Sequence, residues 1–176
     1  MLPYFQNAVV LGDSMAESIL DYRLLRKHNV IAKRGRCIDM ISGDILVAAS
    51  FQPDVLFMVY GKNDMAYFKG DSDRFIQCYK EMIERIQNLL PTTEIFINSI
   101  IPMREDILQQ IGGYKMLDTF NHALRAMCED LHLHFIDNSD QMEWKDVDFE
   151  YDGIHPKYPY YPKWLRKMAR EAKLMK

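Results

Sequence analysis

A parallel β-sheet flanked by helices, an α/β fold, is what this sequence of 176 residues predicts. Short apolar runs suited to buried strands alternate with longer stretches of helical periodicity, and three of the strands stop at polar turns that carry glycine. That alternation implies right-handed crossovers, with helices on both faces of the sheet. The length suits one domain over residues 1–176, long enough to bury about two-thirds of its unfolded surface.

Ala8-Val9-Val10-Leu11 reads as a first strand that ends at Gly12-Asp13-Ser14, and the apolar-periodic stretch from Met15 to Lys27 as a helix that Asp13 or Ser14 is placed to cap. Asn29 to Lys33 is a second strand, stopped by Arg34-Gly35-Arg36. Between Ile38 and Ser50, Ile38, Ile41, Ile45, Leu46 and Ala49 recur at helical spacing. Val55 to Tyr60 is a continuous apolar run, the pattern of a strand buried on both faces, and it stops at Gly61-Lys62-Asn63-Asp64. Arg74 to Leu90 is a long amphipathic helix closed by Pro91, and Glu94 to Ile101 a fourth strand closed by Pro102. Tyr114 to Leu131 is a further helix, and His132 to Asp137 a fifth strand. A last helix of about Lys163 to Met175 follows Pro159 and Pro162.

Composition removes several classes of function. A net charge of -3 and a pI near 5.9 give no global attraction for nucleic acid or an anionic membrane surface. Cys37, Cys78 and Cys128 are odd in number and widely spaced, against both a disulfide framework and a cysteine zinc site. Reduced thiols in a cytoplasm are the expectation. Met1 to Val10 shows no basic start with a long apolar run, so no signal peptide is read there. Nothing approaches the roughly 20 apolar residues of a membrane span. The expected partners are then a small-molecule substrate and, at most, a second copy of the chain.

Open parallel sheets bind ligands outside the carboxyl ends of their strands, where strand order switches. Gly12-Asp13-Ser14, Gly35 and Gly61 to Asp64 all fall at such ends. A serine hydroxyl becomes a nucleophile when a base takes its proton and a third group fixes the tautomer of that base. Asp152-Gly153-Ile154-His155-Pro156 sets a carboxylate three residues before an imidazole, so one tight loop lets Asp152 accept from a ring N–H while the other nitrogen points away. Donors for a developing oxyanion are the Ser14 N–H, the Gly35 N–H and the neutral amide of Asn63.

These residues resemble the four blocks of the SGNH hydrolase superfamily, the GDSL esterase/lipase family, along the whole chain. Gly12-Asp13-Ser14 resembles its first block, Gly35 its glycine block, Gly61-Lys62-Asn63-Asp64 its G-x-N-D block and Asp152-Gly153-Ile154-His155 its D-x-x-H block. The resemblance implies a three-layer α/β/α sandwich with a five-stranded parallel sheet of flavodoxin-like type. It also implies ester hydrolysis without a cofactor. Ser14 would be the nucleophile, His155 the base and Asp152 its orienting acid, with Ser14, Gly35 and Asn63 as the oxyanion hole. There is no G-x-S-x-G elbow. Two departures stand out: Lys62 where a small or apolar residue is more usual, and Arg34, Arg36 and Cys37 around the glycine.

Asp13 either shapes its turn or reaches the glycine loop, and Asp64 caps a helix or braces Asn63. Arg34, Arg36 and Lys62 form a candidate cationic rim for an acidic group on the substrate, against the commoner fate of solvated charge. Tyr60, Tyr67, Phe68, the Tyr158 to Pro162 cluster and Trp164 are candidate pocket walls or core. His28, His122, His132 and His134 lack an acid partner and receive no role, and Cys37 reads as a buried thiol. The twelve methionines read as adaptable core filling. Two other functions compete. A metal-dependent phosphoesterase would draw ligands from Asp13, Asn63, Asp64, Asp152 and His155, and a binding module would keep the pocket without the chemistry.

Overall fold

In the computed structural model, which describes residues 2–175, five strands form one parallel sheet. They are β1 (Ala8–Gly12), β2 (Val30–Ala32), β3 (Val55–Val59), β4 (Glu94–Asn98) and β5 (His134–Ile136), in the order β2-β1-β3-β4-β5. This is the flavodoxin-like order, whose switch point lies between β1 and β3. Every residue of β1 and β3 is buried, which is why neither strand alternates with polar residues.

Alternate residues feed two cores. Val9, Leu11, Leu56, Met58, Ile95 and Ile97 pack with α2 (Ser42–Ser50), α4 (Ser72–Leu89) and α6 (Gly113–Asp130) through Ile45, Tyr79, Ile83, Phe120 and Leu124. Val10, Phe57 and Phe96 face the other way, against α1 (Ser14–Asp21) and α7 (Tyr160–Glu171) through Ile19, Trp164, Leu165 and Met168. Three layers result, and each fully buried large apolar side chain contributes roughly 1.5–3 kcal/mol. The short helices α3 (Asp64–Tyr67) and α5 (Glu105–Gln110) follow β3 and β4 and were not predicted, being too short to show a period.

Strand register places the site. Gly12 is level with Ala32 on one side and Val59 on the other, so the chain leaves β1, β2 and β3 at one edge. A Cβ on Gly12 would lie 2.5 Å from the Ala16 Cβ and 3.0 Å from the Val59 carbonyl oxygen. Only glycine lets α1 turn this tightly back across β3.

Several boundaries differ from the sequence reading for identifiable reasons. The first helix stops at Asp21 instead of Lys27, because Arg23 takes a left-handed φ of 53°. β4 ends at Asn98 because the Asn121 side chain takes both the N–H and the carbonyl of Ile100, removing them from the ladder. His132 has a φ of 53°, so β5 starts only at His134. The last helix begins earlier than predicted, with Pro162 inside its first turn, where a helix has no use for the missing N–H.

Candidate active site

Asp13 closes β1 and caps α1: its Oδ1 accepts from the Met15 N–H at 2.8 Å. That cap fixes Ser14 as the first helical residue, at the sheet edge, 9% exposed. The loop between β5 and α7 supplies the partners. Asp152 Oδ1 accepts from the backbone N–H groups of Ile154 (2.8 Å) and His155 (3.0 Å). Its Oδ2 lies 2.6 Å from His155 Nδ1, and His155 Nε2 lies 2.8 Å from Ser14 Oγ. An ionised Asp152 places the ring proton on Nδ1, leaving Nε2 to accept from the serine hydroxyl. Partial burial pushes the Asp152 carboxyl up, but hydrogen bonds from the His155 backbone and ring and from Ile154 outweigh it and hold it below the usual carboxylate range.

Gly35 stands exposed on the loop after β2 with a φ of 72°, and a Cβ there would meet nothing within 4 Å. Backbone conformation, not crowding, is therefore what calls for glycine. Asn63 precedes α3, and its Nδ2 donates to Asp13 Oδ2 and to the Arg36 carbonyl, each at 3.2 Å. The amide thus ties the ends of β1, β2 and β3 together. Asp64 neither caps nor braces Asn63; it is fully buried and its Oδ1 accepts from the Ile38 N–H at 2.7 Å. Burial pushes its carboxyl to about 7 despite that bond.

Most of the expected pocket residues lie elsewhere. Arg34 is an exposed surface residue paired with Glu17 and Asp21. The Arg36 guanidinium faces Asp44 through two bonds, at 3.0 and 3.1 Å. Tyr60 is buried in the core, as are Phe68, Tyr160, Tyr161 and Trp164. Asp13, Tyr60 and Lys62 line a cavity of about 20 Å³, the size of a water and not of a substrate. Among the candidate aromatic walls, Tyr67 and Tyr158 are each 49% exposed. No cationic rim forms.

Lys62 departs most from its expected place. It is 6% exposed, and its Nζ donates to the carbonyls of Ile154 (2.7 Å) and Pro102 (3.3 Å). Burial pulls the ammonium down to about 8, with Asp13 and Asp152 opposing. Burial likewise pushes Asp13 to about 6, opposed by the Met15 N–H and by Lys62. Cys37 is buried and its thiol is pushed up to about 12 by burial and neighbouring carboxylates, the state of an inert packing residue. Sequence reasoning missed the brace on the Asp152–His155 loop, where the Arg104 N–H donates to the Gly153 carbonyl at 2.7 Å. The one available signal was a lysine at the end of a buried strand.

Of the candidate metal ligands, Asp13 accepts from the Met15 N–H and Asn63, Asp64 from the Ile38 N–H, and Asp152 from the Ile154 and His155 N–H groups and lies against the His155 ring. Among the described residues, no group of three or more His, Cys, Asp or Glu side chains is arranged to hold a metal ion. No helix among them is long and apolar enough to cross a membrane.

A flavodoxin-like sheet with a serine, a histidine and an aspartate in hydrogen-bonded sequence at its switch point defines a hydrolase scaffold. The match to the GDSL-like Lipase/Acylhydrolase family model over residues 10–171 makes the class specific: the chain belongs to that family. Its structure is similar to a GDSL-like lipase from Bacteroides thetaiotaomicron, with a TM-score of 0.77 at 15% identity over 98% of this chain and 91% of that one. It is also similar to a carbohydrate esterase family 3 protein from Talaromyces cellulolyticus, with a TM-score of 0.69 at 16% identity over 95% of each chain. A third is a variant of an acetyl-xylooligosaccharide esterase from Geobacillus Stearmophilus, with a TM-score of 0.70 at 12% identity over 93% of this chain and 92% of that one. At such identities the likeness is one of fold. Comparison with curated proteins finds no match.

Proposed function

We infer that the protein is a serine esterase that works through an acyl-enzyme intermediate and prefers short acyl groups, of acetyl type, on a sugar or other small alcohol. The observation that carries this reading is the unbroken chain Asp152–His155–Ser14, with contacts of 2.6 and 2.8 Å. Ser14 Oγ attacks the acyl carbonyl carbon as His155 Nε2 takes its proton. The Ser14 and Gly35 N–H groups and the Asn63 amide hold the oxyanion, Asn63 exchanging one of its two long intramolecular bonds for the substrate oxygen. The bond to the alcohol breaks as His155 returns the proton to the leaving oxygen. Water then repeats the sequence, releasing the acid and free Ser14. Asp152 stays ionised throughout and stabilises the imidazolium.

Support for a small acyl group comes from the openness of the site, where the Asp152 and His155 side chains are 46% and 21% exposed. The carbohydrate and acetyl esterases among the similar folds agree with that preference. A cytoplasmic location, an unaided mechanism without cofactor, and a small-molecule ester as the partner complete the proposal. Treatment with a fluorophosphonate tests it: the expected result is one adduct, on the peptide containing Ser14. An unlabelled protein, or a label elsewhere, counts against the serine mechanism.

A further inference from the structure

The catalytic histidine sits on a long irregular segment. Between β5, which ends at Ile136, and α7, which begins at Tyr160, regular structure is limited to one short 3-10 turn and one isolated bridge, Phe149 to Pro156. Yet His155 Nε2 must stay within hydrogen-bond reach of Ser14 Oγ, on a different element, and a misplacement of about 1 Å costs on the order of 100-fold in rate. Something must pin this segment to the sheet.

Its N–H groups are satisfied locally: those of Ile154 and His155 turn inward to Asp152, and that of Gly153 to the Glu150 carbonyl. The carbonyls of Tyr151, Gly153 and Ile154 are instead held from outside the segment. The Arg104 N–H takes the Gly153 carbonyl and its guanidinium takes that of Tyr151 at 3.4 Å, both from the loop after β4. The carbonyl of Ile154, directly before the histidine, is held by Lys62 Nζ at 2.7 Å. Lys62 leaves the end of β3, the central strand of the sheet, three residues after its last paired residue, so its backbone moves with the rigid core. The same ammonium also holds the Pro102 carbonyl, joining the β3, β4 and histidine loops at one buried point. A buried cation costs several kcal/mol in desolvation unless it is well bonded, which a merely space-filling residue would avoid.

Resting on the esterase reading above, we propose that Lys62 is a positioning residue: its ammonium pins the Ile154 carbonyl and so holds the His155 imidazole against Ser14 Oγ. It does not touch substrate, being 6% exposed behind the loop. The cationic rim imagined for it from the sequence becomes a clamp beneath the catalytic loop.

Lys62→Met keeps the aliphatic stem and removes the cation. The expected result is a fall of about 100-fold in kcat for p-nitrophenyl acetate with KM within about twofold. With it, the low-field proton resonance of the His155 Nδ1–H bond should be broadened or lost. Wild-type kcat with an unshifted resonance overturns the proposal, whatever the melting temperature; so does a raised KM at unchanged kcat, which would make Lys62 a substrate contact. Should Lys62→Met not fold, Lys62→Gln, with a donor on a shorter stem, is read by the same criteria. The resonance requires no substrate. Wild-type protein inert to both ester and fluorophosphonate therefore counts against the esterase reading, while an unchanged resonance in the variant counts against the clamp.

Discussion

The Asp152 carboxyl performs two tasks with its two oxygens: Oδ1 closes the loop on the backbone of Ile154 and His155, and Oδ2 sets the ring. Asp152→Asn preserves much of the loop but presents an amide N–H or a neutral oxygen to Nδ1, favouring the wrong tautomer. A fall in kcat of about 10⁴-fold is expected, with KM little changed; a loss below tenfold would show that His155 does not depend on this partner. The contacts of the candidate triad were legible in the sequence because its spacing is local at one end, Asp152 and His155 being three residues apart, and its serine follows a strand. The positions of Tyr60 and Lys62 were not legible. Both are buried, and Lys62 is so because its ammonium meets the Pro102 and Ile154 carbonyls of loops distant in sequence.

At the scale of elements, the join between the β3 loop and the turn before α2 rests on Asp64, whose Oδ1 holds the Ile38 N–H while its buried Oδ2 has no hydrogen-bond partner among the described residues. Its carboxyl, pushed to about 7 by burial, exceeds its ordinary 3.8. Between about pH 4 and 7 the folded protein therefore keeps a proton that the unfolded chain has lost, and Asp64 lowers stability as pH rises through that window. Asp13 acts in the same direction up to about 6, while the depressed Lys62 acts oppositely, raising stability as pH climbs above about 8. At about 1.4 kcal/mol per tenfold difference in proton affinity, the Asp64 contribution is on the order of 4 kcal/mol. Asp64→Asn imitates the protonated form, so urea unfolding at pH 4.5 and 7.5 should show a smaller decline than in wild type. Parallel declines would contradict the assignment. Element types were legible where burial dictates pattern, as in β1 and β3; ends were not, because Asn121 truncates β4 by contacts distant in sequence.

For the whole molecule, the order β2-β1-β3-β4-β5 brings the chain ends of β1, β2 and β3 and the histidine loop to one edge. Strand-helix alternation announced the sheet, and four blocks in sequence order announced the site, but neither carries the depth of the groove. That depth follows from loops, on which Tyr151 and Tyr67 are exposed to solvent. The proposed short-acyl preference predicts that hydrolysis of p-nitrophenyl esters falls from acetate and butyrate to the long-chain homologues. Faster turnover of the long chains would contradict the short-acyl preference.

The central claim, that Ser14 is an activated nucleophile, is tested most directly by p-nitrophenyl acetate hydrolysis with wild type and Ser14→Ala, each with and without EDTA. Wild-type turnover indifferent to chelator, falling at least 10³-fold in a folded Ser14→Ala, is the expected result. Activity that survives the substitution but disappears with EDTA would contradict the account and move the chemistry to a metal.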